Sequence, residues 1–186
     1  MSRMPNPTAQ PREIVATDPV AAEARAACAR GAIDAAVTAC LTGYGPELAA
    51  FAVAIGGAEP GRAAIVHLAE LLWGSLPGQP ADVDLRVLCY RLTRLAVLAE
   101  LRHGPGRRAT ATAADALAVL ADNLAPADAA LLFLRDRRAM GWPTIAAIMS
   151  DTEPGPGARD RKAAALIRRY EVLDLRLRAV RRLRPA

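Results

Sequence analysis

The chain has 186 residues, enough for one ordinary domain or two small ones and too few for a TIM barrel. Hydrophobic residues make up 53%, yet the excess is alanine and aromatics are only 4%, so runs that favour strands are scarce and the composition points to an all-α fold. Of the net charge of +5, residues 159–186 hold ten basic side chains against three acidic ones, a local +7 that leaves the first 158 residues at −2. Such asymmetry suits a polyanionic partner, nucleic acid before an anionic membrane, and an Arg-rich solvated helix face is the plainer alternative.

Residues 1–18 are rich in Pro and polar residues and lack the apolar stretch of a secretory signal, which predicts a disordered tail. Cys28, Cys40 and Cys89 are odd in number and form no C-x-x-C pair, so neither a disulfide framework nor a zinc ribbon is expected and a reducing, cytoplasmic setting fits. No run of about 18 apolar residues stands out, Leu85–Leu101 being nearest and broken by Arg86, Arg91, Arg94 and Glu100, so a soluble protein is expected.

The apolar spacing from Val20 to Leu41 predicts one Ala-rich helix with a weak point at Gly31. Gly43-Tyr44-Gly45-Pro46 reads as a break, with a second helix from Pro46 carrying Leu48, Phe51, Ala52 and Ile55 on one face to Gly56-Gly57. Glu59-Pro60-Gly61 precedes a third over Arg62–Leu76, and Asp84 caps a fourth through Arg102 with Leu85, Leu88, Leu92, Leu95 and Leu98 as its buried stripe. These four helices form a first domain over residues 19–103. The Gly- and Pro-bearing stretch 104–113 is the linker, and residues 114–186 form a second domain with helices over Ala114–Leu124, Pro126–Arg138, Pro143–Met149 and Arg159–Arg184.

Leu124–Ser150 reads as a short helix, a turn at Ala139–Gly141 and a helix with Ile145, Ile148 and Met149 on its apolar face, the opening of a helix-turn-helix. Through Pro126, Leu131, Leu132, Leu134, Arg135, Trp142, Ile145, Ala146, Ile148 and Met149 this run resembles the promoter-recognition domain of extracytoplasmic-function (ECF) sigma factors. Ala27–Ala52 resembles the first helix pair of the same family's core-binding domain, and Leu85–Ala96 with Glu100-Leu101-Arg102 resembles its Leu-Arg-x-x-Leu-Tyr-Arg-x-x-Arg helix. The likeness spans about residues 22–184, with two departures. The acidic cluster that docks the polymerase β′ subunit is replaced by Gly61–Leu68, and the turn before the last helix, Ser150–Gly157, is longer than the family's. Eroded contact motifs on this architecture are also similar to the sigma-like domain of general stress response regulators, which binds an anti-sigma factor instead of promoter DNA.

The resemblance implies a transcription regulator without catalysis or cofactor, whose partners are double-stranded promoter DNA, the RNA polymerase core and an anti-sigma factor. Arg159, Arg161 and Lys162 then occupy the amino-terminal turn of the recognition helix, with Arg168 and Arg169 one to two turns on and in reach of phosphates. The alternative is that Leu166, Ile167, Tyr170, Leu173, Leu177 and Val180 form a packed stripe and the arginines only solvate the back of the helix. Arg91 and Arg94, on the helix that meets the melted strand in the family, complete the DNA set, while Tyr90 reads as core. A protein-partner surface is expected at Ile65, Leu68, Leu71, Leu72 and Trp73, although leucines at this spacing also suit a core and Trp73 can pack there too. His67 and His103 have no metal-ligand spacing, and no nucleophile or phosphate-loop motif is present.

Overall fold

The computed structural model describes residues 18–103, 124–151 and 155–182, and every regular element among them is helical, as the composition predicts. In chain order these are α1 (Pro19–Ala29), α2 (Ile33–Gly56), α3 (Ala58–Ser75), α4 (Leu85–His103), α5 (Pro126–Leu132, continued by a π-turn over Phe133–Arg137), α6 (Trp142–Ile148) and α7 (Pro156–Arg182). The linker 104–113, most of the helix expected over Ala114–Leu124 and residues 1–17 of the expected tail lie outside the described residues.

Asp18, placed in the tail by sequence, belongs to the fold. Its Oδ1 accepts from the backbone N–H groups of Val20 (3.0 Å) and Ala21 (3.3 Å), capping α1, and its Oδ2 accepts from the Tyr44 hydroxyl at 2.6 Å. Pro19 at the first helical position supplies a preset φ where no N–H partner is needed. The helix buries Ala21, Ala24 and Ala27, whose small side chains bring α1 close to α2.

The break between the first two helices falls at Gly31, whose φ of +72° suits a residue without Cβ, and not at Gly43–Pro46. α2 runs unbroken for 24 residues through Pro46. A mid-helix proline removes one hydrogen bond and crowds the preceding residue's Cβ, and here that residue is Gly45, which has none. The remaining cost is offset by burying Tyr44, Leu48, Phe51 and Ile55, each large side chain being worth roughly 1.5–3 kcal/mol. Gly57 (φ +83°) then separates α2 from α3, which begins earlier than the sequence suggests because Pro60 is tolerated in its first turn.

α4 is packed on two sides. Asp84 caps it as expected, its Oδ1 accepting from the N–H groups of Arg86 (2.9 Å) and Val87 (3.1 Å). The buried set on α4 is wider than the leucine stripe: Leu85, Leu88, Cys89, Tyr90, Leu92, Thr93, Arg94, Ala96 and Val97 are all buried, whereas Leu95 and Leu98 are half-buried. The reason is that α4 touches α2 and α3 on one side and α6 on the other. Phe51 of α2 meets Tyr90 edge-on (ring centroids 5.0 Å apart) and also Phe133 beside α5 (5.5 Å), so one core runs from Ala21 to Leu173 across both halves of the chain.

Among the described residues α2, rather than Leu85–Leu101, is the helix long and apolar enough to cross a membrane. In the fold it is an internal helix packed by α1, α3, α4 and α5. Midway along it, Glu47 pairs with Arg86 of α4 (2.6 Å) and with Arg138 beyond the π-turn.

Candidate nucleic-acid interface

The three C-terminal helices assemble around a small core. α5 contributes Ala130 and Leu131, the π-turn Leu134, α6 Ile145 to Ile148, and α7 Ala163, Leu166 and Leu173. The left-handed residue of the turn between α5 and α6 is Ala139 (φ +50°); Gly141 is extended and precedes α6 as its N-cap. The Met140 N–H bonds back to the Leu134 carbonyl (3.1 Å) and Arg135 donates to the Met140 carbonyl (3.1 Å), which holds that turn.

Around this core lies a ring of polar and aromatic contacts. Trp142 meets Tyr170 edge-on at 5.5 Å, with the Arg135 guanidinium 4.9 Å above the indole. The Tyr170 hydroxyl donates to Asp136 (2.6 Å), and this bond together with burial holds its proton more tightly than usual. These contacts fix the angle of α7 against α5 and α6.

The basic residues singled out by sequence divide into three groups. Arg161, Lys162 and Arg168 are exposed on α7. Arg161 and Arg168, two turns apart, share the face opposite the buried Ala163–Leu166–Leu173 stripe, and Lys162 lies on its flank. Ile167, Tyr170 and Leu177 of the expected stripe are half-buried, and the Val180 side chain lies outside the described residues.

Arg169 is an inter-helix tie instead of a free phosphate ligand: its Nε donates to Asp128 of α5, and that bond raises the guanidinium's affinity for its proton. Arg159 is half-buried and turns toward α4, where it lines a cleft shared with Arg91.

Arg94 corrects the sequence reading outright. It is 7% exposed, donates to the Ile148 carbonyl at 3.2 Å and pairs with Asp151, so it joins α4 to the end of α6 and is not presented to a nucleic-acid strand. A buried guanidinium persists only where acceptors replace its water, and the Ile148 carbonyl and Asp151 do so. The hydrogen bond and the charge of Arg94 together hold the Asp151 carboxyl below its ordinary range.

On the first-half surface the leucines separate by exposure. Leu68 and Leu72 are fully buried and belong to the core, because α3 turns this stripe onto α2 and α4. Ile65 and Leu71 are half-buried at its edge. Trp73 is 56% exposed and its Nε1 donates to Asp34 of α2 at 2.8 Å; Val66, two turns earlier on α3, is 72% exposed. Val66 escaped the sequence reading since only its exposure distinguishes it from the buried valines. Tyr90 is core, as read. Among the described residues no group of three or more His, Cys, Asp and Glu is placed to hold a metal ion.

No protein-family model, curated protein or solved structure matches the chain.

Proposed function

We propose that the protein is a sigma-factor-like transcription regulator that binds double-stranded promoter DNA through α6 and α7 and contacts the RNA polymerase core, acting in the cytoplasm by binding and not by catalysis. The observation that carries this reading is the outward set Arg161, Lys162 and Arg168 on a long helix that follows α6 in helix-turn-helix order. Guanidinium and ammonium groups at that end of a recognition helix reach phosphates and base edges of the major groove.

Each neutralised phosphate contributes roughly 0.9 to the slope of log affinity against log salt. Replacing Arg161, Lys162 and Arg168 together by Ala therefore flattens that slope by about two to three units, as read by anisotropy titrations on genomic promoter fragments at several salt concentrations. Replacing Arg176 and Arg178, further along α7, has the smaller effect. Equal losses from both sets mean diffuse charge attraction, and no binding by the parent at low salt removes the DNA reading.

A second reading, a sigma-like mimic that captures an anti-sigma factor, is favoured by the internal use of Arg94 and by the exposed Trp73 and Val66 on a face without the acidic docking cluster. Run-off transcription with core polymerase separates the two: a regulator of initiation changes the transcripts made from promoter fragments, and a mimic changes them only when an anti-sigma factor is present.

A further inference from the structure

Four large apolar side chains exposed on this fold fall into two pairs at helical spacing. Val66 and Trp73 stand two turns apart on one stripe of α3, and Val172 (49% exposed) and Leu175 (67% exposed) stand one turn apart on α7. Both pairs meet water in the single chain, so neither covers the other within one molecule.

The α3 stripe borders a groove of about 520 Å³ between α2 and α3. Val37, Ala69 and Trp73 supply its apolar surface, Asp34, Thr38 and Glu70 complete it, and no basic side chain is among these lining residues. Asp34 accepts from the Trp73 indole N–H at 2.8 Å, which holds the ring at the mouth. Glu70 is exposed and pairs with no cation among the described residues. Arg62, one turn before Val66 on the same stripe, has Glu59 as its own partner at 3.7 Å. The groove is thus apolar with an acidic edge.

The end of α7 is its complement. Among the described side chains Leu173 is the last that α7 buries, and the helix continues to Arg182, about 13 Å further on. Arg176 is exposed one turn after Val172 and flanks it. The acids nearby are set aside: Asp174 pairs with Arg178 at 2.7 Å, and Glu171 lies on the far side of Leu175 from Arg176. From residue 172 to residue 186 the sequence has five arginines against that one aspartate.

We propose that the α2–α3 groove is the docking site for the α7 end of a second copy of this chain, with Val172 and Leu175 against Val66, Ala69 and Trp73 and with Arg176 toward Glu70 and Asp34. Each copy carries both surfaces, so a two-fold pairing forms the contact twice and closes as a dimer. The apolar side chains supply the attraction, and the opposite charges select this pairing over groove against groove or α7 against α7.

Sedimentation velocity of the full-length protein over a range of chain and salt concentrations tests this. A reversible dimer that weakens as salt rises is expected. Leu175→Asp and Trp73→Ala each weaken it at least tenfold. Glu70→Arg and Arg176→Glu each weaken it as well, and the two together restore it because the charge pair is reversed and not lost. Arg161→Ala, about four turns before Leu175 on α7, leaves it unchanged. These positions are all exposed, and variants are compared only where circular dichroism and melting match the parent. Mixing identifies the surfaces that meet: Trp73→Ala and Leu175→Asp, at a concentration where each alone is monomeric, associate when combined, since the mixture keeps one intact groove and one intact α7 end. Should Trp73→Ala misfold, Glu70→Arg takes its place in the mixture. A parent that stays monomeric up to about 1 mM chain overturns the proposal. So do full association in correctly folded Leu175→Asp, a charge-reversed double variant that stays weak, loss on Arg161→Ala, and a mixture that does not associate. No DNA or polymerase enters these measurements, so they stand or fall apart from the promoter reading.

Discussion

Asp18 accepts three hydrogen bonds with one carboxylate: it caps α1 through two backbone N–H groups and holds the Tyr44 hydroxyl. Burial alone pushes its proton affinity up, but the Tyr44 hydroxyl and the Ala21 and Val20 amides outweigh that and leave it below the ordinary value of 3.8. Asp18→Ala should cost about 2 kcal/mol, combining a lost cap with an orphaned buried hydroxyl, as read by urea unfolding at neutral pH. A depressed carboxyl contributes its stability above the ordinary value and loses it as pH falls through the lower native one. The gap between parent and Asp18→Ala should thus be full at neutral pH and narrow below about pH 3.8; a gap that widens in acid would contradict the assignment. Arg94 makes the complementary case. Arg94→Met leaves the buried Ile148 carbonyl without its donor and should cost about 1–3 kcal/mol, whereas Arg161→Ala on the solvent face should stay within about 0.5 kcal/mol.

At the level of elements, small residues decide where helices cross. A Cβ on Gly61 would lie 2.8 Å from the Val53 backbone nitrogen, because α3 begins almost against the backbone of α2. Backbone has no rotamer with which to move aside, so Gly61→Ala should destabilise by about 1–3 kcal/mol. Gly74, near the end of the same helix, has open space around it, and Gly74→Ala should stabilise by roughly 0.5–1 kcal/mol through lower unfolded-state entropy and better helix propensity. Thermal melts of the two variants should move in opposite directions; a matching shift would mean that the α2–α3 approach is looser than described. The passage of α2 through Pro46 belongs to this scale too. Gly43-Tyr44-Gly45-Pro46 carries every local signal of a break, and the helix continues because Tyr44 and Leu48, on either side of the proline, are buried against other helices.

Across the whole molecule, the two halves share polar as well as apolar contacts. Glu47 of α2 holds Arg86 of α4 and Arg138 near α5, Arg94 holds Asp151, and Phe51 packs on Phe133. Halves joined in this way should unfold together. Trp73 reports on α3 and Trp142 on α6, so Trp142→Phe and Trp73→Phe give proteins with one fluorescent reporter in each half. Their urea midpoints should coincide with each other and with the loss of helical circular dichroism once the small effect of each substitution is measured. Well-separated midpoints would show two independently folding units. Glu47→Ala should lower both midpoints, since it leaves Arg86 of α4 and Arg138 after the π-turn without their shared acceptor.

Chain composition determined the helical class, and local signals located the cap at Asp84 and the turn at Ala139–Gly141, because these depend on neighbours only a few residues away, whereas Gly31 read only as a weak point within one helix. The C-terminal charge was legible for the same reason: it is a count. What separated Arg161 and Arg168 from Arg94 and Arg169, or Leu72 from Trp73, was invisible to periodicity, since each pair shares residue type or lies on a similar stripe. Only the tertiary arrangement brought Asp151 to Arg94, Asp128 to Arg169 and Glu47 to Arg138 over separations of 57, 41 and 91 residues. Burial and ion pairing are properties of surfaces that meet, and the chain acquires those surfaces only when α4 is enclosed between its two neighbouring layers.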